Sequence, residues 1–153
     1  MDEGFIYRES DFDFSPIIRA IQPGNRYHDG ALTVMNEYIH RTIYCILRVA
    51  HLATIHGRRV SLLKKDLELA LKSINSRCNG HRCQDLWYDP EHVKVPKRAL
   101  SAMAFKVGYH RKYQNFYDEF PHVIASIIKH LLGHIDSTDI TVAKVNQAII
   151  EIN

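Results

Sequence analysis

ALTVMNEYIHRTIYCILRVAHLATIH, residues 31–56, contains neither glycine nor proline. Its apolar residues fall at Ala31, Val34, Met35, Tyr38, Ile39, Ile43, Ile46, Leu47, Ala50 and Ala53. That i, i+3, i+4, i+7 spacing puts them on one face of an α-helix. Asp29 is the expected N-cap and Gly57 the expected stop just past the C-terminus. A helix of this length spans about 39 Å. In a chain of 153 residues it must be the spine of its domain.

Shorter elements flank it. Residues 14–22 read as a short helix with Pro16 in its first turn and Pro23-Gly24 after it. Arg58-Arg59-Val60-Ser61-Leu62 is a basic connector, and residues 63–74 form a second short helix carrying Leu67, Ala70, Leu71 and Ile74 on one face. Residues 76–95 lack periodicity and hold Asn, Gly and Pro, which marks a linker. Beyond it the order recurs: a helix over 96–107, a Tyr-rich loop over 108–119, a helix over 121–135, a loop over 136–139 and a last helix over 140–152. The halves can be laid over each other, residues 62–71 on residues 140–149. Apolar residues coincide at Leu62/Ile140, Leu67/Val145, Ala70/Ala148 and Leu71/Ile149. The chain is therefore expected to be all-α and built from a tandem repeat.

Composition narrows the function. Hydrophobic residues make up 46% and charged residues 24%, as in ordinary globular proteins, and no apolar run approaches the length of a membrane span. No membrane partner is expected. The first residues are acidic and lack the order of a signal peptide, and three cysteines are an odd number for a secreted disulfide scaffold. An intracellular, reducing compartment is expected. Residues 1–13 carry a net −4, which leaves +7 for the rest of a chain whose total is +3. Lys94, Lys97, Arg98, Lys106, Arg111 and Lys112 follow one another with no acid between them, and Arg58, Arg59, Lys64 and Lys65 form a second cluster. A basic body of this kind suits a polyanion.

Two segments carry a resemblance to a known family. Residues 22–36, QPGNRYHDGALTVMN, and residues 58–71, RRVSLLKKDLELAL, resemble the first loop, long-helix start, second loop and last helix of the core histone called two-B. Residues 120–131, FPHVIASIIKHL, and 138–150 resemble its dimer partner, the core histone called two-A. The central helix of the second half is much shorter than that family's. A two-B-like fold joined to a two-A-like fold resembles the histone doublets of large DNA viruses of the marseillevirus type, most of all their miniature variant. The resemblance implies two tandem histone folds, each short–long–short, paired intramolecularly as a pseudo-heterodimer. The units would be an acidic segment over 1–13, a first fold over 14–75, the linker over 76–95 and a second fold over 96–153.

The resemblance also implies a function: wrapping double-stranded DNA without sequence specificity. A partner histone doublet would form the tetramer-like centre of a nucleosome. The virion, and the host nucleus or a cytoplasmic viral factory, are the places it implies. The contacts would go to phosphate. Arg59 resembles the family's minor-groove arginine and Ser61 its phosphate-binding hydroxyl, with Arg58 and Lys65 adding charge. Arg26, Tyr27 and His28 would serve from the first loop of the first half. Lys97, Arg98, Tyr109, His110, Arg111, Lys112 and Tyr113 would serve from the second half, with Thr138 and Thr141 as its second-loop hydroxyls. About five to seven phosphate contacts give a slope of log K on log salt of about −5 to −6. Long basic tails and an acidic docking patch, both features of the family, have no counterpart in this sequence.

Other chemistries find less support. Cys78, His81 and Cys83, with His92, offer metal-ligand atoms, but the C-x4-C spacing with one histidine between departs from common zinc sites, so no metal is expected. Trp87 and Tyr88 are expected to anchor the linker on the helices. Ten histidines, His40, His51, His56, His130 and His134 among them, accompany no nucleophile at defined spacing. No phosphate loop, HExxH or nucleophile elbow occurs, so neither an enzyme, a cofactor nor a small-molecule substrate is expected. A histone-fold transcription cofactor and a helical protein–protein adaptor are the alternative functions.

Overall fold

The structure is a computed structural model and describes residues 7–8, 11–76 and 94–152. The elements in chain order are α1 (Ser15–Ile21), β1 (Arg26–Tyr27), α2 (Ala31–His56), α3 (Lys64–Ser76), α4 (Lys97–Lys106), α5 (Phe116–Gly133), β2 (Asp139–Ile140) and α6 (Val142–Ile152). The described chain is thus mostly helical, and short–long–short occurs twice.

The apolar stripe of α2 is buried as its spacing requires. Met35, Ile39, Ile43, Ile46, Leu47 and Ala50 join Phe120, Val123, Ile124, Ile127, Ile128 and Leu131 of α5 in one continuous core. Three of the four overlaid pairs play the same parts, while in the fourth Leu71 is buried and Ile149 only partly so. Leu62 and Ile140 are both fully buried, as are Ala70 and Ala148, and Leu67 and Val145 are buried beside them. Neither half has a core of its own: α2 packs on α4, α5 and α6 as well as on α3.

Several element ends differ from expectation, each for a local reason. The second long helix begins at Phe116, five residues before Pro121, and ends at Gly133. Proline inside a helix removes one backbone donor. Here the loss is offset by burial, because Phe116 and Phe120 stack at 5.1 Å on the face continued by Ile124 and Ile127. At 18 residues α5 is still eight shorter than the 26-residue α2. Asp29 does not cap α2: the N-cap residue is Gly30, which offers no side-chain cap.

Gly57 ends α2, but with φ −79, so it is not a left-handed stop. The left-handed residue is Arg58, with φ 56. Gly57 is needed for space, because a Cβ there would lie 2.7 Å from Arg59 Nη2 and 2.8 Å from its Nε. The next side chain but one folds back over the helix end.

The acidic segment is part of the fold where it is described. Asp13 accepts hydrogen bonds from the Ser15 N–H (3.0 Å), the Ser15 hydroxyl (2.6 Å) and Asn36 Nδ2 (3.1 Å). Asn36, buried on α2, in turn accepts from the Phe14 N–H at 2.7 Å. His40 Nε2 lies 2.6 Å from the Phe12 carbonyl, and burial holds its pKa below the usual histidine value. Asp11 receives the Lys106 ammonium at 2.7 Å, so this strap crosses from the first half to α4 of the second. No described helix is long and apolar enough to cross a membrane.

Candidate nucleic-acid interface

The basic residues singled out by charge sit mainly in the α2–α3 and α4–α5 loops and at the starts of α3 and α4, and the fold brings the four loops within the halves together in pairs. β1 pairs with β2 in parallel, Arg26 opposite Asp139 and Tyr27 opposite Ile140. The Arg26 N–H donates to the Thr138 carbonyl at 2.6 Å and the His28 N–H to the Ile140 carbonyl at 2.8 Å. At the other pairing, Leu62 bridges Lys112, and the Leu62 N–H donates to the Arg111 carbonyl at 2.9 Å. The first loop of each half therefore pairs with the second loop of the other, twice over.

In one pair, Arg26, His28 and Thr138 are exposed and Tyr27 is half-buried. His28 Nε2 stands 3.8 Å from Asp139. The Thr141 hydroxyl accepts the Lys144 N–H at 3.3 Å and so caps α6. The other pair is more strongly basic. Arg58, Lys65, His110 and Arg111 are exposed, and Ser61 and Lys112 are half-buried. Lys97 and Arg98 are exposed at the start of α4. The ammonium groups of Lys97 and Lys112 each lie 5.7 Å from the centre of the Tyr117 ring. That ring gathers two cations from separate elements. Sequence reasoning missed Tyr117, because it was assigned to a loop; its hydroxyl contacts Ser101 at 2.7 Å.

Two expected contact residues play a different part. Tyr109 is fully buried, so it cannot touch a phosphate. Its ring packs edge-on to His51 at 4.9 Å, and its hydroxyl lies 2.7 Å from Thr54 Oγ1. Thr54 also reaches Asp66 Oδ2 at 2.8 Å. The Asp66 carboxylate and the Ala50 carbonyl, 3.0 Å from Thr54 Oγ1, can only accept, so the one Thr54 proton is directed to them and Tyr109 donates to Thr54. Burial pushes the Tyr109 pKa up to about 12, in keeping with a hydroxyl that must keep its proton.

Arg59 is not free either. It grips Asp66 with both terminal nitrogens, at 2.7 and 2.8 Å. The Arg59 guanidinium, with the Leu63 N–H and Thr54, holds the buried Asp66 carboxyl down at about 2. With 27% of its side chain exposed, Arg59 keeps an outer edge toward solvent, but its first role is to fix the turn from α2 into α3. The chain Arg59–Asp66–Thr54–Tyr109 runs from this turn into the loop of the other half. Gly108 makes room for it. With φ +112 and a Cβ position 3.1 Å from His51 Nε2, no other residue fits that place without strain.

A 410 Å³ cleft also lies between the halves, lined by Lys64, Leu67, Glu68, Tyr113, Glu119 and His122. The Tyr113 hydroxyl donates to Glu119 at 3.0 Å, and Lys64 approaches the same carboxylate at 3.4 Å. Tyr113 thus faces this cleft and is bound to an acid. Among the described residues no group of three or more His, Cys, Asp or Glu could hold a metal ion. Cys78, His81, Cys83 and His92, and the anchors Trp87 and Tyr88, lie outside the described residues. In comparisons with known proteins, no family model and no curated protein matches this chain.

Proposed function

We propose that the chain is a histone doublet that binds double-stranded DNA through its backbone, without sequence specificity, and bends it around a larger particle completed by a partner histone doublet. Its two halves are read as tandem histone folds, the first like histone two-B and the second like histone two-A. The observation that carries this reading is the reciprocal pairing of loops. Each pairing supports a composite surface of backbone and cationic side chains that neither half makes alone. Such surfaces hold phosphate by charge, and by hydroxyl and N–H donors. The helical core beneath them keeps the two surfaces at fixed spacing. A viral genome is the substrate this reading implies.

With Tyr109 buried, Tyr27 half-buried, Tyr113 turned to Glu119, Thr141 capping α6 and Arg59 shared with Asp66, the contact set becomes Arg26, His28, Arg58, Ser61, Lys65, Lys97, Arg98, His110, Arg111, Lys112 and Thr138. The purified chain, mixed with random-sequence duplex and a histone tetramer of the other two core types, should protect a discrete length of DNA from nuclease. That protection should disappear when the tetramer is left out. Binding should weaken with salt at a slope of about −5 to −6, and Arg111→Ala should reduce that slope by about 1. DNA binding with uniform digestion would point instead to a coating protein or cofactor. Absence of binding at low salt would overturn the DNA reading and leave an adaptor.

A further inference from the structure

α4 carries an exposed aromatic ring, Phe105, that phosphate binding does not use. Arg98, Ala102 and Phe105 are spaced four and three residues apart, which places them on one face of the helix, and all three are exposed. Phe105 is 62% exposed, although phenylalanine is normally among the buried residues. Its ring stands edge-on to the exposed His110, with centroids 5.2 Å apart and planes at 76°. Arg111 follows His110, also exposed, and Lys106 beside Phe105 is held by Asp11. An apolar ring is thus propped by a second ring, with Arg98 two turns back on the same helix face, Arg111 next to His110 in the chain, and a small residue, Ala102, leaving its approach open.

Charge indicates the occupant. A partner protein or a lipid tail would call for an apolar surround, whereas this ring stands in a stretch, residues 94–113, that has six cations and no acid of its own, Asp11 pairing with one of the six, Lys106. The ligand that combines a flat π-face with phosphates on both sides is a nucleotide. Base–aromatic stacking is tolerant of sequence, because every base has a π-face. Aromatic and apolar side chains beside basic ones are also used as wedges at opened base steps. We propose that Phe105 and His110 form a stacking platform for an unstacked nucleobase, with Arg98 and Arg111 on the adjoining phosphates. This rests on the DNA-binding reading above and adds a ligand class to it: DNA whose stacking is locally broken.

The test uses the full chain and three labelled probes: an intact random duplex, the same duplex with a two-nucleotide bulge containing 2-aminopurine, and the corresponding single strand. The bulged duplex should bind about tenfold more tightly than the intact one, with a change in 2-aminopurine fluorescence. Phe105→Ala should abolish both the preference and the fluorescence change, leaving intact-duplex affinity and the salt slope unaltered. Phe105→Trp should preserve them. A single strand bound as tightly as the bulge, and equally sensitive to Phe105→Ala, supports the same platform with a free strand as its source. Equal affinity for intact and bulged duplex, or discrimination that survives Phe105→Ala, overturns the platform while the DNA reading stands. A change in oligomeric state on Phe105→Ala without loss of discrimination also overturns it and assigns the face to a protein partner. No binding to any probe at low salt overturns both.

Discussion

Replacing Asp66 by asparagine removes one charge from the network that joins the halves and keeps its shape. The carboxyl is 3% exposed and accepts from Arg59, Thr54 and the Leu63 N–H. In the folded chain it titrates at about 2 against an ordinary 3.8. A difference of just under two units corresponds to ~2 kcal/mol of stability. The sign follows from the lowered pKa. The stabilisation is complete above pH 3.8 and is lost as pH falls through about 2. Removing one partner of a buried pair can cost about 3–5 kcal/mol, but Arg59 can rehydrate through its exposed edge, which keeps the loss nearer 2. In a domain of this size that is a fall in Tm of roughly 4–8 °C. Urea unfolding of wild type and Asp66→Asn should be compared at steps from pH 7 to pH 2. The two curves should differ by ~2 kcal/mol at pH 7 and converge near pH 2. A difference that stays constant across that range would show that the ionised carboxylate is not what holds the turn, and would refute the argument.

Tyr109→Phe removes only the hydroxyl that donates to Thr54. It should cost about 1 kcal/mol in thermal unfolding while DNA affinity at fixed salt stays unchanged. A loss of affinity without loss of stability would return Tyr109 to the contact surface. Gly108→Ala places a methyl group against His51 at a positive φ and should destabilise by about 1–3 kcal/mol, read by the same melt. For His40 the folded pKa lies below the unfolded value of 6.5. Its penalty on folding is therefore absent above pH 6.5 and grows as pH falls beneath it, and Asp11, Asp13 and Lys106 are the charges facing the ring. His40→Gln should flatten the stability profile between pH 6.5 and pH 4.5, and an unchanged slope would exclude His40 as its source.

The helical order and the repeat were legible because apolar spacing is a strong local signal. Leu62, Leu67 and Ala70 and their counterparts Ile140, Val145 and Ala148 are buried alike. The ends of α5 were less legible, because Pro121 looks like a first-turn proline when the burial of Phe116 and Phe120 is unknown. Phe116, Phe120 and Ile124, each four residues apart, were the available clue. Most of the basic side chains in the loops are exposed, as solvated charges ordinarily are. The burial of Tyr109 and the grip of Arg59 on Asp66 were hidden for one reason: their partners, Thr54 and Asp66, are reached only when separate elements pack. Sequence distance conceals a bond such as Tyr109 to Thr54, which spans 55 positions. Phe105 was visible in the sequence only as one more apolar helix residue. Its exposure depends on which face of α4 turns inward.

Both loop pairings join residues from opposite halves, Arg26 with Asp139 and Leu62 with Lys112. Among the described residues no strand pairing is completed within a half, and the core is shared as well. The connection between the halves therefore sets the molecularity of folding. In the intact chain unfolding is a first-order event, and its midpoint is independent of protein concentration. Cutting the chain once between residues 76 and 94 leaves every described contact in place but makes the same structure a complex of two polypeptides. Its melting temperature must then rise with concentration, and dilution alone must unfold it.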